Sequence, residues 1–271
     1  MPTPAPLSAA ADAPPSPKYV IPNLRNACQV LKLLGRQSEG LKTIEVSRAL
    51  KIPITSALRI LNTLQLESLV RKANGRYELG PALIQLGHLS LHRTEIRATA
   101  LPILEKLSLT TTETSHLAIL CDDRALIVAV QDSPHPLRAA SRPGFLADLH
   151  CSSTGKVFLA YHHGGTLPPA VLGEKRERRT PHTQVTPEAI RREARLTRAR
   201  GYGLDNEEYF LGVRCLAAPV FGSNATVVAA IGITAAAVRF TEASIPAMAE
   251  KVKAAAAELS RLLGYSGTGG S

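Results

Sequence analysis

The segment from Leu41 to Gly80 constrains the fold of this chain of 271 residues more than any other segment does. Lys51-Ile52-Pro53 ends a first helical pattern, and the next pattern repeats apolar residues at the spacing of one buried helix face. Those residues are Ala57, Ile60, Leu61 and Leu64. Two short basic strands follow, joined by Asn74-Gly75, the strongest short signal for a β-hairpin. This order predicts a winged helix-turn-helix, a shape that fits the major groove of DNA.

The outer face of the second helix predicts contacts with DNA, because its side chains form hydrogen bonds and point away from the core. Such side chains read base edges, whereas Lys and Arg neutralise phosphates. The residues predicted to contact bases are Thr55, Ser56, Arg59 and Asn62. The residues predicted to contact phosphates, from the turn and the hairpin, are Lys51, Arg71, Lys72 and Arg76.

The distribution of charge supports this prediction. The chain has a formal net charge of +10, and residues 19–97 carry 12 Lys or Arg against 5 Asp or Glu, a net charge of +7. Neutralisation of DNA phosphates requires such an excess. A second basic run, from Lys175 to Arg200, is typical of a solvated helix face.

Cysteine usage favours a reducing compartment, and the hydropathy of the chain indicates that it does not cross a membrane. The four cysteines lie far apart without a C-x2-C pair, so neither a disulfide framework nor a zinc site is indicated. No apolar run is long enough to span a membrane. Together these features predict a cytoplasmic protein that has no metal site, no cofactor and no membrane partner.

The remainder of the chain mixes predicted helices and strands. Short apolar runs flank Asp122-Asp123 and Gly222-Ser223-Asn224, which predicts two β-hairpins. Thr186 and Pro187 open a predicted helix that ends at Gly201. This mixture predicts an α+β domain with helices covering a sheet. The predicted divisions are a disordered tail at 1–18, the winged helix-turn-helix at 19–80, a linker helix at 81–93, the α+β domain at 94–264 and a flexible tail at 265–271.

No set of catalytic residues is evident. Gly155-Lys156 lacks the flanking residues of a phosphate loop, so the Ser/Thr-rich stretch before it indicates a capped helix N-terminus, an arrangement that can also receive an anion. Cys215 lies in an apolar run, where a free cysteine is usually a small core residue. The four polar residues from Asp205 to Glu208 are typical of an exposed turn at a strand end.

Three motifs in order resemble the isocitrate lyase regulator (IclR) family of bacterial transcription factors. The first is the winged helix ending in Tyr77-Glu78-Leu79-Gly80-Pro81. The second, Leu149 to Ala160, is similar to the family's LHATAxGKAxLA signature, and the third extends from Arg200 to Tyr209 and continues from Gly212 to Val220. The resemblance covers about residues 24–263.

The resemblance implies a C-terminal effector domain like the GAF domain, with a small-molecule pocket on one face of a mixed sheet. It places a ligand carboxylate against the backbone N–H groups of Ser153 and Thr154. It also implies polar pocket positions at Asp205, Cys215 and Thr234, and an apolar wall at Leu146 and Leu149. Gly232 stands where the family has a pocket serine, Asp148 replaces a common Pro, and Ile54 and Leu58 replace a common Lys and His.

The sequence therefore favours a ligand-responsive DNA-binding regulator of a catabolic operon. It would be a homo-oligomer, either a dimer or a dimer of dimers, bound to a palindromic operator in double-stranded DNA and responding to a small organic acid. Two alternatives stay open at this point. One is a small-molecule enzyme with an attached nucleic-acid module, using Cys215 as nucleophile or Asp205 as base. The other is a regulator whose pocket is structural and binds no ligand.

Overall fold

The computed structural model of the chain describes residues 20–37, 39–92, 95–172 and 176–267. Contacts between residues divide the chain after Arg93 into two compact units, which we call the N-terminal unit and the C-terminal unit. The predicted disordered tail at 1–18 lies outside the described residues. None of the helices in the described ranges is long and apolar enough to cross a membrane.

The N-terminal unit contains the predicted winged helix-turn-helix. Its elements are α1 (Pro22–Leu34), α2 (Thr43–Leu50), α3 (Ile54–Leu66), β1 (Val70–Ala73), β2 (Arg76–Leu79) and α4 (Pro81–His92). The four apolar residues of α3 that the sequence assigned to the core are buried, and they pack with Val30, Val46, Val70 and Tyr77.

The turn between α2 and α3 depends on backbone geometry at two residues. Lys51 ends α2 in the left-handed region with φ 54°, and Pro53 is the N-cap of α3 with φ −54°. The Ser47 hydroxyl donates a 2.7 Å hydrogen bond to the Ile52 carbonyl and holds the turn between them. Proline cannot continue α2 but is compatible with a helix start, so the sequence ends one helix and begins the next within three residues.

The wing is the hairpin that Asn74-Gly75 predicts. Both residues have positive φ, 50° and 76°, and Ala73 pairs with Arg76, so the loop contains two residues. Asn and Gly tolerate this conformation, which matches the twist of the flanking strands. Leu41 bridges to Tyr77 through two backbone hydrogen bonds of 3.0 and 2.8 Å, which joins the wing to the start of α2.

In the described part of the C-terminal unit, six strands form one sheet in the order β5-β4-β3-β8-β7-β6. The strands are β3 (Thr114–Cys121), β4 (Arg124–Gln131), β5 (Leu146–Asp148), β6 (Gly203–Asn206), β7 (Val213–Phe221) and β8 (Val227–Ala236). The helices are α5 (Glu95–Thr111), α6 (Ser153–Tyr161), α7 (Pro169–Leu172), α8 (Pro187–Arg200) and α9 (Ile245–Leu262).

All strand pairs described in this sheet are antiparallel, so the expectation of a mixed sheet was wrong. Helices α5 and α9 pack on each other and on the sheet, while α6 contacts β6, β7 and β8 and is covered by α8. Every residue of α6 from Ser153 to Ala160 is buried. The sheet and α8 therefore enclose α6, and this position determines where its N-terminus points.

Two expectations for the C-terminal unit need correction. Asp205 and Glu208, expected in an exposed turn, are buried because β6 pairs with β7 and packs against α6. Tyr265, expected in a flexible tail, stacks on Phe221 with ring centroids 5.0 Å apart. The helix boundaries of α8 agree with the prediction, since Thr186 accepts a hydrogen bond from the Ala189 N–H and Gly201 has φ 83°.

Candidate DNA-binding surface and effector cavity

The predicted base-reading residues lie on α3, although not all are equally accessible. Thr55, Arg59 and Asn62 are exposed, and Ser56 is half-buried. Ser56 and Arg59 also line a groove between α1 and α3 of about 310 Å3. Lys51, exposed at the end of α2, lies next to the start of α3 in sequence. Three of the four predicted side chains are thus available to a partner that approaches the outer face of α3.

The wing cations differ in how far they are engaged within the domain. Arg71 forms a 2.8 Å ion pair with Glu78 on the neighbouring strand. Arg76 binds the Gly40 carbonyl at 3.1 Å and the Glu45 carboxylate at 3.2 Å. Lys72 lies over the Tyr77 ring, 5.3 Å from its centroid. Among the described residues, Lys72 is therefore the wing cation with no carboxylate partner, whereas Arg76 ties the wing to the first turn of α2.

A cavity of about 460 Å3 in the C-terminal unit brings most of the predicted effector residues together. Its polar lining includes Ser153, Thr154, Asp205, Cys215 and Thr234, from α6, β6, β7 and β8. A second cavity, of about 480 Å3 between α9 and the end of β7, contains none of the predicted site residues.

Two predicted wall residues, Leu146 and Leu149, do not line this cavity. Side chains alternate across a strand, and in β5 it is Ala147 that faces the cavity, so Leu146 points to the other side and is exposed. Leu149 lies in the core beneath α6 and is fully buried. The apolar wall consists instead of Ile127, Ala147, Phe145, Tyr209, Phe210 and Val213.

The N-terminus of α6 opens into the cavity with two unused backbone donors. Ser152 is the N-cap, and its hydroxyl accepts a 3.1 Å hydrogen bond from the Gly155 N–H. The N–H groups of Ser153 and Thr154 have no acceptor among the described residues. Such groups, at the positive end of the helix dipole, form a site that is receptive to an anion.

Close packing around Gly203 brings β6 against this helix end. A β-carbon at Gly203 would lie 2.3 Å from the Ser153 carbonyl oxygen, a distance that no real side chain tolerates. A β-carbon at Gly232 would similarly lie 2.3 Å from the Leu216 carbonyl oxygen. The glycine at 232 therefore occupies a sterically restricted position, where a larger residue such as the serine implied by the family resemblance would clash with β7.

A network of weakly polar groups occupies the strand side of the cavity. The Thr234 hydroxyl lies 3.3 Å from Nδ1 of His116, 3.2 Å from the Ser141 hydroxyl and 3.4 Å from the Cys215 sulfur. Burial lowers the pKa of His116 to about 4, so the ring is neutral at physiological pH. Burial also raises the pKa of the Cys215 thiol, which keeps it protonated. This side of the cavity offers hydrogen-bonding groups without charge.

Asp205 is the carboxyl group in the cavity lining, and it is 2 % exposed. Its Oδ1 accepts hydrogen bonds of 2.7 and 3.2 Å from the N–H groups of Glu208 and Tyr209. Burial raises the pKa of Asp205 to about 7, although the nearby Lys156 ammonium acts in the opposite direction. Asp205 is therefore about half protonated near neutral pH.

Arg142 supplies a cation to the cavity. It is exposed, it lines the cavity, and its guanidinium has no carboxylate partner in the described part of the chain. Arg179, in contrast, has a carboxylate partner. It binds Asp148 at 2.6 Å and lies over the Tyr209 ring, 4.2 Å from its centroid. Arg179 thus supports an aromatic wall residue, while Arg142 remains available to an anionic ligand.

The sequence did not identify several lining residues. His116 comes from β3, and Ser141, Arg142 and Phe145 come from the loop before β5; all four lie outside the three resembling motifs. Tyr209 could have been identified from the sequence, because it is the last residue of the motif that begins at Arg200. If β5 had been predicted, the alternation of its side chains between the two faces of the sheet would have shown that Ala147 and Leu146 cannot face the same side.

Comparison with known proteins places this architecture in one family. A family model described as the bacterial transcriptional regulator IclR C-terminal domain matches residues 88–261, well over half of the chain. The IclR helix-turn-helix domain matches residues 24–73. The chain belongs to the IclR family. This IclR protein is therefore a DNA-binding transcriptional regulator, as the three sequence motifs predicted.

Individual relatives agree over nearly their full length. The HTH-type transcriptional regulator XynR of Escherichia coli is 32% identical over 91% of this chain and 98% of the relative. The glycerol operon regulatory protein of Streptomyces coelicolor is 33% identical over 90% of this chain and 97% of the relative. The crystal structure of the Thermotoga maritima IclR matches with a TM-score of 0.66 and 29% identity, covering 89% of this chain and 98% of that chain.

Family membership excludes the enzyme alternative for this IclR protein. Its relatives are named transcriptional regulators and repressors, which are not enzymes. The chemistry of the cavity agrees, because a nucleophilic cysteine requires a thiolate, whereas burial raises the pKa of Cys215. The groups around the cavity can offer hydrogen bonds and a positive charge to a ligand.

Proposed function

We propose that this IclR protein binds a palindromic operator as a homo-oligomer and changes its affinity for DNA when a small organic acid binds the C-terminal unit. Regulators of catabolic operons respond to metabolites, and relatives such as the glycerol operon regulatory protein are named for that role. Acting on the chromosome, it would work in the cytoplasm. A dimer or a dimer of dimers would present pairs of α3 helices to two-fold symmetric half-sites.

The outer face of α3 supports the DNA part of the proposal. Thr55, Arg59 and Asn62 are exposed there and can reach base edges, while Lys51 and Lys72 have no carboxylate partner among the described residues. Arg71 and Arg76 would contribute less to phosphate binding than predicted, because each already pairs with a carboxylate. Ser56 would contribute from the margin of this face.

Two substitutions separate base reading from phosphate binding. Arg59→Ala is expected to weaken specific binding by about 1–3 kcal/mol and to relax the preference for one base pair. Lys72→Ala is expected to weaken specific and random duplexes alike and to reduce the slope of affinity against salt by about one. Fluorescence anisotropy with both duplexes over a salt series measures this. Equal effects of the two substitutions on both duplexes would contradict the assignment.

The observation that carries the ligand proposal is the pair of unused N–H groups of Ser153 and Thr154 at the cavity. Two donors at a helix N-terminus suit the two oxygens of a carboxylate. Arg142 adds a positive charge, and Thr234 with His116 can bind a second polar group of the ligand. Of the predicted effector residues, Ser153, Thr154, Asp205, Cys215 and Thr234 remain in this proposal. Leu149 acts only through packing, and Leu146, exposed on the other side of β5, has no part in it.

Ser153→Pro tests the donors directly. Proline lacks the N–H but is tolerated at the first position of a helix, and Ser152 already has the extended conformation that proline requires of its predecessor. A carboxylate that stabilises the wild type in a thermal-shift panel is expected to bind the variant about tenfold or more weakly. The panel includes 4-hydroxybenzoate, with which a homologue from Microbacterium hydrocarbonoxydans of 21% identity and TM-score 0.74, covering 89% of this chain and 98% of that chain, was crystallised.

Ser153→Ala is the matched control for that variant, since it keeps the N–H and removes only the hydroxyl. It is expected to retain most of the affinity. If proline and alanine weaken binding equally, the backbone donor is not the determinant. If no acid of the panel stabilises the wild type while operator binding is intact, the cavity is structural, as the remaining alternative holds.

Affinity for a carboxylate is expected to depend on pH through Asp205. An anion in the cavity would raise the pKa of Asp205 further from its value of about 7, so binding would take up a proton. Affinity would be constant well below pH 7 and fall by up to about tenfold per pH unit above it. Asp205→Asn should keep the accepted hydrogen bonds and remove this dependence. Calorimetric titrations across neutral pH measure it, and an unchanged slope in the variant would refute the role.

A further inference from the structure

Two apolar side chains are exposed in the first half of α3 where polar ones would be expected. Ile54 is 50% and Leu58 is 44% exposed, and neither belongs to the apolar cluster that forms the core of the N-terminal unit. They lie in the first half of the helix, four residues apart. When a partner covers exposed apolar side chains, their surface is removed from water, and this burial favours binding.

These side chains share a face with the residues that would contact base edges. At about 100° per residue, Leu58 lies about 40° from Ile54 on one side and about 40° from Asn62 on the other. Arg59 and Thr55 continue the same face. A partner that contacts Asn62 and Thr55 on this face of α3 would therefore also cover Leu58 and Ile54.

We propose that Ile54 and Leu58 contact the 5-methyl groups of thymines in the major groove, so that each operator half-site carries A·T pairs facing the first half of α3. The thymine methyl is the apolar group that base pairs present in the major groove. Carbonyl and amino groups of the other bases would lose water against these side chains without gaining a hydrogen bond. This inference rests on the proposed DNA-binding role of α3.

Charge favours DNA over a second copy of the chain as the occupant of this face. Arg59 lies on the same face and Lys51 precedes the helix, while residues 19–97 carry a net charge of +7. Two such faces would repel each other, whereas the phosphates beside the major groove attract them. The cations would then provide affinity for any DNA duplex, and the two apolar side chains would provide the preference for operator sequences with A·T pairs.

Deoxyuridine tests the inference, because it differs from thymidine only by the missing methyl. The full chain is first used to select an operator from random duplexes, and each thymine is then replaced in turn. Loss of one buried methyl is expected to weaken wild-type binding about fourfold at one or two positions per half-site. Leu58→Ala or Ile54→Ala should be insensitive to the same replacement. Placing 5-methylcytosine at those positions should restore part of the wild-type affinity.

Leu66→Ala is the matched control, since Leu66 is 82% exposed at the other end of α3 and should leave the sensitivity to deoxyuridine unchanged. If the wild type ignores every deoxyuridine while Arg59→Ala still weakens binding, the inference is overturned and the DNA-binding role stands. If neither Arg59→Ala nor Lys72→Ala affects binding, the proposed function itself fails. If Leu58→Ala changes the oligomeric state by light scattering and leaves the sensitivity to deoxyuridine intact, the face binds a second copy and the inference is wrong.

Discussion

Lys156→Met is expected to lower the free energy of unfolding of the C-terminal unit by about 3–5 kcal/mol. Lys156 is 2 % exposed, and its ammonium contacts the Glu208 carboxylate and lies 2.6 Å from the Leu204 carbonyl. Methionine fills a similar volume but leaves Glu208 buried without its cation. One oxygen of that carboxylate, Oε2, already has no hydrogen-bond partner among the described residues, which leaves the charge strongly dependent on Lys156.

The pH dependence of this loss has a definite sign. Burial already raises the pKa of Glu208, and removal of Lys156 would raise it further. An acid with a raised pKa in the folded state costs progressively more stability as pH rises from its unfolded-state pKa towards the raised value, because the unfolded chain ionises freely. The destabilisation by Lys156→Met is therefore expected to be smaller near pH 5 than near pH 8. Urea unfolding at both pH values measures it.

A double substitution provides the control for this prediction. Lys156→Met combined with Glu208→Leu removes both charges, and replacement of a buried ion pair by apolar residues is often neutral or stabilising. The double variant is expected to recover most of the stability lost in the single one. If it is as unstable as Lys156→Met alone, the cause is packing around α6 rather than an uncompensated charge.

Gly203→Ala is expected to destabilise the C-terminal unit by about 3 kcal/mol, at the upper end of the usual cost of overpacking. The added β-carbon would lie 2.3 Å from the Ser153 carbonyl oxygen, and both groups are backbone, so neither strand nor helix can yield locally. Separation of β6 from α6 would move Asp205 away from the donors at the helix N-terminus. Ligand affinity should fall together with stability, as thermal shift with a bound acid would show.

Gly87→Ala is the corresponding control for the same chemical change. A β-carbon at Gly87, within α4, would meet no atom within 4 Å. Alanine is favoured over glycine inside a helix, so this variant should leave the unfolding of the C-terminal unit unchanged and should not weaken the N-terminal unit. A Gly203→Ala variant as stable as Gly87→Ala would show that β6 and α6 can separate without cost.

The N-terminal unit could be predicted almost element by element because local signals determine it. Pro53 ends one helix and begins another, Asn74-Gly75 sets a two-residue loop, and the apolar spacing of α3 identifies its buried face. What the sequence did not show is the internal use of Arg76, since a contact with Gly40 and Glu45 depends on how the wing folds back.

The cavity was less accessible to prediction because its residues meet only through the pairing of distant strands. His116 and Thr234 come together because β3 pairs with β8, and no local pattern encodes that distance. Asp205 looked exposed because four consecutive polar residues usually are, yet the close approach at Gly203 buries it. Family resemblance identified Ser153 and Thr154, whereas their unused N–H groups became evident only from the hydrogen bonds around α6.

Complete enclosure of α6 has a consequence for isotope exchange. Amides inside a fully buried helix exchange with solvent deuterium only when the unit opens, so most of α6 should be among the slowest segments of the chain. The amides of Ser153 and Thr154 differ, because they lack acceptors and face a cavity that water can enter. The rate at which these two protons exchange therefore reports occupancy of the cavity directly, without reference to any operator.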